Sequence, residues 1–202
     1  SVATQTMERR SSVTRMLAIG GPTSYGGFSE LPAAAEEASN VAKSFEPNSD
    51  LFTGAEARKT LLSATPLRYT DLHLAVHGQL RDAYQSRLVF ADGFLEVKDI
   101  WALSLLNSPR VVLSACESGL GRAVTGNDVL SLATGFLAAG AQSVVSTLWR
   151  VPDKETATLM SSFYRASQSA PNAAEAVASM QRDAIKAGLP PRVWAAFVVH
   201  GR

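Results

Sequence analysis

Four short apolar runs, each giving way to glycine, serine or a turn and separated by stretches of helical periodicity, constrain the fold of this chain more than any other feature. Arg15-Met16-Leu17-Ala18-Ile19-Gly20 is stopped by Gly20-Gly21-Pro22, and Leu72-His73-Leu74-Ala75-Val76 runs into His77-Gly78. Val111-Val112-Leu113 runs into Ser114-Ala115-Cys116, and Ser143 to Leu148 is the fourth run. Near-continuous apolar runs, without polar alternation, belong to strands buried on both faces. Between them Ala34, Ala38, Val41, Ala42 and Phe45 recur at helical spacing, and Thr53-Gly54 opens a predicted helix carrying Leu61 and Leu62. Val129 to Ala139 reads as an apolar helix closed by Gly140, with further helices at about 154–167 and 173–187. Leu51-Phe52 predicts a short strand, Arg87 to Val97 a hairpin turning at Ala91-Asp92-Gly93, and Ala195 to Val199 a closing strand. Strands alternating with helices predict an α/β three-layer sandwich, a mostly parallel central sheet with helices on both faces.

The totals narrow the function classes. A chain of 202 residues suits one domain, here 13–202 behind a polar extension at 1–12. A net charge of +1 with no Lys/Arg cluster gives no nucleic-acid footprint. No apolar run approaches the ~20 residues of a membrane span, and Ser1 to Ser12 lacks the apolar stretch of a signal peptide. The chain begins without Met, so a piece of a larger protein is expected. One cysteine makes no internal disulfide and suits a reducing, cytoplasmic setting. It also removes any cysteine-cluster metal site, and the histidines at 73, 77 and 200 have no metal-ligand spacing, so neither metal nor cofactor is expected.

In open α/β sheets ligands bind at the carboxyl ends of strands. His77 follows one core strand and Cys116 another, and if those strands are neighbours the two side chains meet at one edge. A thiol attacks only as thiolate, and an imidazole can take its proton. The developing oxyanion needs donors, for which the backbone N–H groups of Gly78 and Cys116 are candidates. Gly119 and Gly121 let the following loop turn sharply. Taken one at a time, each feature has a plainer reading: a lone cysteine at a strand end is usually a small core residue, and His-Gly a turn.

Together the motifs say more. Leu72-His73-Leu74-Ala75-Val76-His77-Gly78 resembles the LHFATHG motif of CHAT domains, and Val112 to Gly121 (VLSACESGLG) their VLSACETGxG motif. Leu132 to Trp149 is similar to the family's LARAFLxAGARSVVASLW, and Trp194 to Gly201 to its WAAFVLxG. The resemblance runs in order from about Arg15 to the end. It implies a caspase-like cysteine peptidase with His77 and Cys116 as a catalytic dyad. It also implies a protein or peptide substrate and a gating partner, either a regulatory protein or an attached sensor or repeat domain, in bacterial regulation or defence. The rival reading is a catalytically idle caspase-like module for binding or assembly. A nucleotide-binding loop is the other rival, but Gly20-Gly21-Pro22-Thr23-Ser24-Tyr25-Gly26-Gly27 fits neither G-x-G-x-x-G nor the P-loop pattern and reads as a flexible loop.

His73 shares a strand face with His77 but stands four residues away, about 13 Å at ~3.3 Å per residue, which suits support or packing. Specificity is expected from Ser146-Thr147-Leu148-Trp149-Arg150-Val151-Pro152-Asp153, which resembles CHAT SLWPVDD and the separase segment LWDVTDKD. Asp153 is either the base of a pocket for a substrate Arg or Lys, or the N-cap of the next helix. Trp149 is either pocket wall or core, and Arg150 is the residue that would favour acidic substrates instead. Substrate is expected to add as a strand beside 146–151. Arginine specificity would also allow self-cleavage at Arg81, Arg87 or Arg122, all expected in loops.

Overall fold

A computed structural model of the chain describes residues 14–63, 69–79, 86–107, 109–115 and 126–201. In chain order the elements are β1 (Met16–Pro22), α1 (Pro32–Lys43), β2 (Ser49–Gly54), α2 (Thr60–Ser63), β3 (Asp71–Ala75), β4 (His77–Gln79), β5 (Arg87–Phe90) and β6 (Gly93–Glu96). They continue with α3 (Val97–Trp101), β7 (Arg110–Leu113), α4 (Gly126–Ala138), β8 (Ser143–Thr147), α5 (Asp153–Ser167), α6 (Ala173–Lys186), α7 (Pro191–Trp194) and β9 (Phe197–Gly201).

Six strands form the central sheet in the order β2-β1-β3-β7-β8-β9, parallel throughout except for β9, which runs antiparallel to β8. All four apolar runs of the sequence are its inner strands, and β1, β3 and β8 are buried at every residue. Alternation then sends successive side chains into two separate cores. Leu17, Ile19, Leu72, Leu74, Val111 and Leu113 face Leu88, Phe90, Leu95, Ile100 and Phe136. Met16, Ala18, Val112 and Val145 face the helical layer through Ala38 and Val41 of α1, Phe163 of α5 and Met180 of α6. The second layer on the first face is a small antiparallel sheet, β4-β5-β6, together with α3 and α4.

Several short elements differ from expectation. The predicted helix after Thr53-Gly54 is only the four-residue α2, because β2 continues to Gly54 and the Lys59 N–H is held by the Asp92 carboxylate at 2.6 Å. The residues after His77 form β4 rather than leaving the sheet layer at once. The closing strand starts at Phe197, since Pro190-Pro191 starts α7 first, proline being well suited to an opening helical position.

Gly20 is where the first strand meets the first helix. A Cβ there would lie 2.5 Å from the Ala34 carbonyl oxygen and 2.5 Å from the Ala38 Cβ. Gly20→Ala is therefore expected to push α1 off β1 and cost about 1–3 kcal/mol, the usual penalty of overpacking. A urea titration of both proteins, read as a lower midpoint at unchanged slope, checks it.

Candidate active site

β3 and β7 are adjacent and parallel, with Leu72 opposite Val111 and Leu74 opposite Leu113. The Ser114 N–H continues the ladder by donating to the Leu74 carbonyl at 3.0 Å. His77 stands three residues beyond Leu74, and Cys116 three beyond Leu113. The neighbour relation on which the sequence argument depended is thus present. Cys116, Arg81 and Arg122 lie outside the described residues, as does the loop with Gly119 and Gly121.

The two exits touch. A Cβ placed on Gly78 would meet the Ala115 Cβ at 3.3 Å and the Ala115 carbonyl oxygen at 3.6 Å. The residue after His77 therefore lies against the residue before Cys116. Glycine permits this approach, since any larger side chain would push the β7 exit outwards.

His77 is buried (3% exposed), and its orientation is built from the preceding loop. Its Nε2 lies 2.7 Å from the Ser29 carbonyl oxygen. A carbonyl only accepts, so in the neutral ring Nε2 carries the proton and Nδ1 keeps its lone pair. The Phe28 ring lies against the imidazole, with centroids 5.2 Å apart. Sequence reasoning missed Ser29 and Phe28. The signal was in Tyr25-Gly26-Gly27-Phe28, which is a tight turn rather than a flexible loop. Gly26 and Gly27 have φ of 58° and 87°, and the Phe28 N–H donates to the Tyr25 carbonyl at 3.0 Å. Two central residues at positive φ give the primed type of turn, for which Gly-Gly is a preferred pair.

His73 is fully buried on the helical face. Its Nδ1 lies 3.0 Å from the Tyr164 hydroxyl and its Nε2 3.2 Å from Glu37 Oε1, the latter off the direction of a good hydrogen bond. Burial pushes the Tyr164 phenol well above its ordinary pKa, keeping it neutral. His73 thus ties β3 to α1 and α5. His200, in β9, faces Ser146 Oγ at 3.2 Å, and burial lowers its pKa.

The expected specificity segment is placed in part. Trp149 is 40% exposed, which removes the core reading, and its Nε1–H donates to the Arg192 carbonyl at 2.7 Å. Arg150 is exposed. Asp153 is the first residue of α5, not its N-cap. The extended Pro152 caps the helix and accepts the Thr156 N–H at 3.0 Å. The Asp153 side chain is outside the described residues. β9 occupies one edge of residues 143–147 and β7 the other as far as Val145, and the Leu148 N–H donates to the Ala196 carbonyl, so strand addition there is confined to the β7-facing edge beyond Val145 and to the residues after Leu148. Arg87, expected both to open the hairpin and to lie in a cleavable loop, is in the hairpin. It opens β5, the middle strand of the small sheet, paired with Gln79 on one side and Glu96 on the other, and a strand held on both edges is a poor site for self-cleavage.

The CHAT domain family model matches residues 1–202. The chain belongs to the CHAT domain family. Its fold is caspase-like. Separase of Saccharomyces cerevisiae, solved in complex with securin, superposes with a TM-score of 0.56 at 17% identity, covering 94% of this CHAT domain and 12% of the separase chain. Gingipain R, an Arg-specific cysteine proteinase, superposes with a TM-score of 0.54 at 13% identity, covering 93% of this domain and 45% of that chain. At such identities the likeness is one of fold. No curated protein matches the sequence. Among the described residues no helix is long and apolar enough to cross a membrane.

Gly78→Val is expected to wedge Ala115 away from β4 and lower any Cys116-dependent activity by about 10–100-fold, as for a displacement approaching 1 Å in a reacting pair. The far-UV spectrum should stay unchanged. Turnover equal to that of the unaltered domain would show that the Gly78–Ala115 contact does not set the site.

Proposed function

We propose that this CHAT domain is a cysteine endopeptidase in which Cys116 is the nucleophile and His77 its base. The observation that carries the reading is the contact of Gly78 with Ala115, which brings the neighbours of the two residues together at the carboxyl edge of the sheet. His77 Nδ1, left free by the Ser29 carbonyl, takes the thiol proton. The thiolate attacks the scissile carbonyl, and the backbone N–H groups of Gly78 and Cys116 receive the oxyanion. The imidazolium then returns the proton to the leaving amine. A thioester remains, which water hydrolyses with His77 again as base.

Preference for a basic residue before the cleaved bond rests on Asp153 at the start of α5 and on Trp149, whose exposed indole is anchored to α7. Gingipain R, a proteinase of the same fold, is Arg-specific, in agreement with that preference. Control by a regulatory protein or an attached sensor or repeat domain, in a bacterial regulatory or defence system, follows from the CHAT resemblance. Separase in complex with securin is a solved case of a protein of this fold held by a partner. The lone cysteine, needed as a free thiol, fits a cytoplasmic setting.

The test is a mixed peptide library read by mass spectrometry, with Cys116→Ala alongside. Cuts after Arg or Lys that fall by at least about 10³-fold in the variant are expected, the scale of loss when a nucleophile is removed. Cuts after Asp would keep the peptidase and shift its pocket to Arg150. Equal cleavage by both proteins would remove Cys116 from the chemistry; no cleavage by either would leave a domain awaiting its activator or a binding module, and rapid, selective alkylation of Cys116 would then favour the first.

A further inference from the structure

The same reading leaves one cation beside the site without an assigned task. We propose that Arg87 binds an acidic side chain of the substrate on the leaving-group side of the cleaved bond. The inference rests on the peptidase reading for the direction of the substrate, and on geometry for the rest.

In the small sheet His77 pairs with Val89, Gly78 with Leu88 and Gln79 with Arg87. Alternation puts Leu88 and Phe90 into the core and Arg87, Gln79 and His77 on the opposite face. Arg87 and Gln79 therefore lie two strand steps from His77, about 7 Å along the strand. A continuous layer joins them. Phe28 lies on His77 and, at 6.4 Å between centroids, against Phe94. Tyr25 meets Phe94 edge-on at 5.3 Å. The Arg87 guanidinium sits 3.6 Å above the Phe94 ring, and its Nε–H donates to Gln79 Oε1 at 2.6 Å.

This guanidinium is held and half-buried, and among the described residues no carboxylate lies at ion-pair distance from it. The Gln79 bond uses one of its five N–H donors. Glu96 is its partner across the ladder, yet the Glu96 carboxylate is 2.7 Å from Lys98 Nζ. Among the described residues Arg15 and Arg110 have carboxylate partners at ion-pair distance, and Arg87 does not. A planar fork stacked on an aromatic ring has lost little freedom left to lose, and it matches a carboxylate with two parallel hydrogen bonds.

Chemistry gives the direction. His77 hands its proton to the leaving amine, so the residues after the cleaved bond must pass over His77. An extended peptide advances ~3.3 Å per residue, so the 7 Å offset places the acidic side chain at about the second residue after the cut.

The test uses matched pools of fluorescent peptides with Arg at the cleavage position. Glu or Gln stands in turn at each of the first three positions after it, and the remaining positions are randomised. The Glu-to-Gln ratio of kcat/KM is read for the unaltered domain, Arg87→Gln and Arg87→Met, the last keeping the apolar stack on Phe94. The expected ratio is about 10 at one position in the unaltered domain and near 1 in both variants, the scale of one charge-assisted hydrogen bond. A ratio near 1 in the unaltered domain, or one that survives both substitutions, overturns the proposal. If neither pool is cut, the domain either awaits its partner or is a binding module, and the same ratio is read as peptide affinity by anisotropy on Cys116→Ala with and without Arg87→Gln. Equal affinity for the Glu and Gln pools would then overturn the Arg87 assignment.

Discussion

The parallel pairing of β3 with β7 is the constraint on which everything at this edge depends. Parallel strands in one register leave the sheet on the same side and at the same height, so whatever follows them is placed together at no further cost. Leu74 faces Leu113, Ser114 extends the ladder by one bond, and the chain then carries His77 on one side and Cys116 on the other. The register is itself held by burial. Leu72, Leu74, Val111 and Leu113 enter one core and Val112 the other, so a one-residue slip would invert every one of them. Gly78 then takes the place where a side chain would hold the two exits apart.

A second constraint acts on orientation rather than on place. An imidazole that is merely nearby can turn either nitrogen to its partner. Here a backbone carbonyl takes Nε2, and Phe28 covers the ring, so the remaining nitrogen has one direction. The device comes from the β1–α1 connection, whose own position depends on the tight approach of α1 to Gly20 and on the buried join of His73 to Tyr164 and Glu37. Packing on the helical face of the sheet thereby reaches His77 at its edge, through α1 and the turn that leads into it.

Much of this was legible in the residues. Apolar runs without alternation marked the inner strands, because burial on both faces leaves no room for polar positions, and the hairpin of β5 and β6 showed its turn at Ala91-Asp92-Gly93. The CHAT motifs carried the family. Elements of three to five residues were harder, since β4, α3 and α7 are too short to display a period, and Pro190-Pro191 was not read as the start of a helix. Ser29 was beyond reach for a different reason: it acts through its carbonyl oxygen, which every residue has, so no side chain announces it. Asp153 was misplaced by one position because Pro152 closes the first turn of α5 with its own carbonyl. Arg87 was legible as the start of the hairpin with β6, but its pairing with Gln79 of β4 was not, since pairing across strands leaves little trace in a local pattern.

The most direct measurement is the rate at which Cys116 is alkylated by iodoacetamide at pH 6.5, followed by intact mass, with the unaltered domain beside His77→Ala and the denatured chain. The chain has one cysteine, so a single mass increment reports the site. A thiol paired with His77 should react at least about 10-fold faster than in either control, because a free cysteine near pKa 8.5 is almost wholly protonated at that pH. A rate in the folded domain no greater than in both controls would mean that the edge of the sheet does not bring His77 to Cys116.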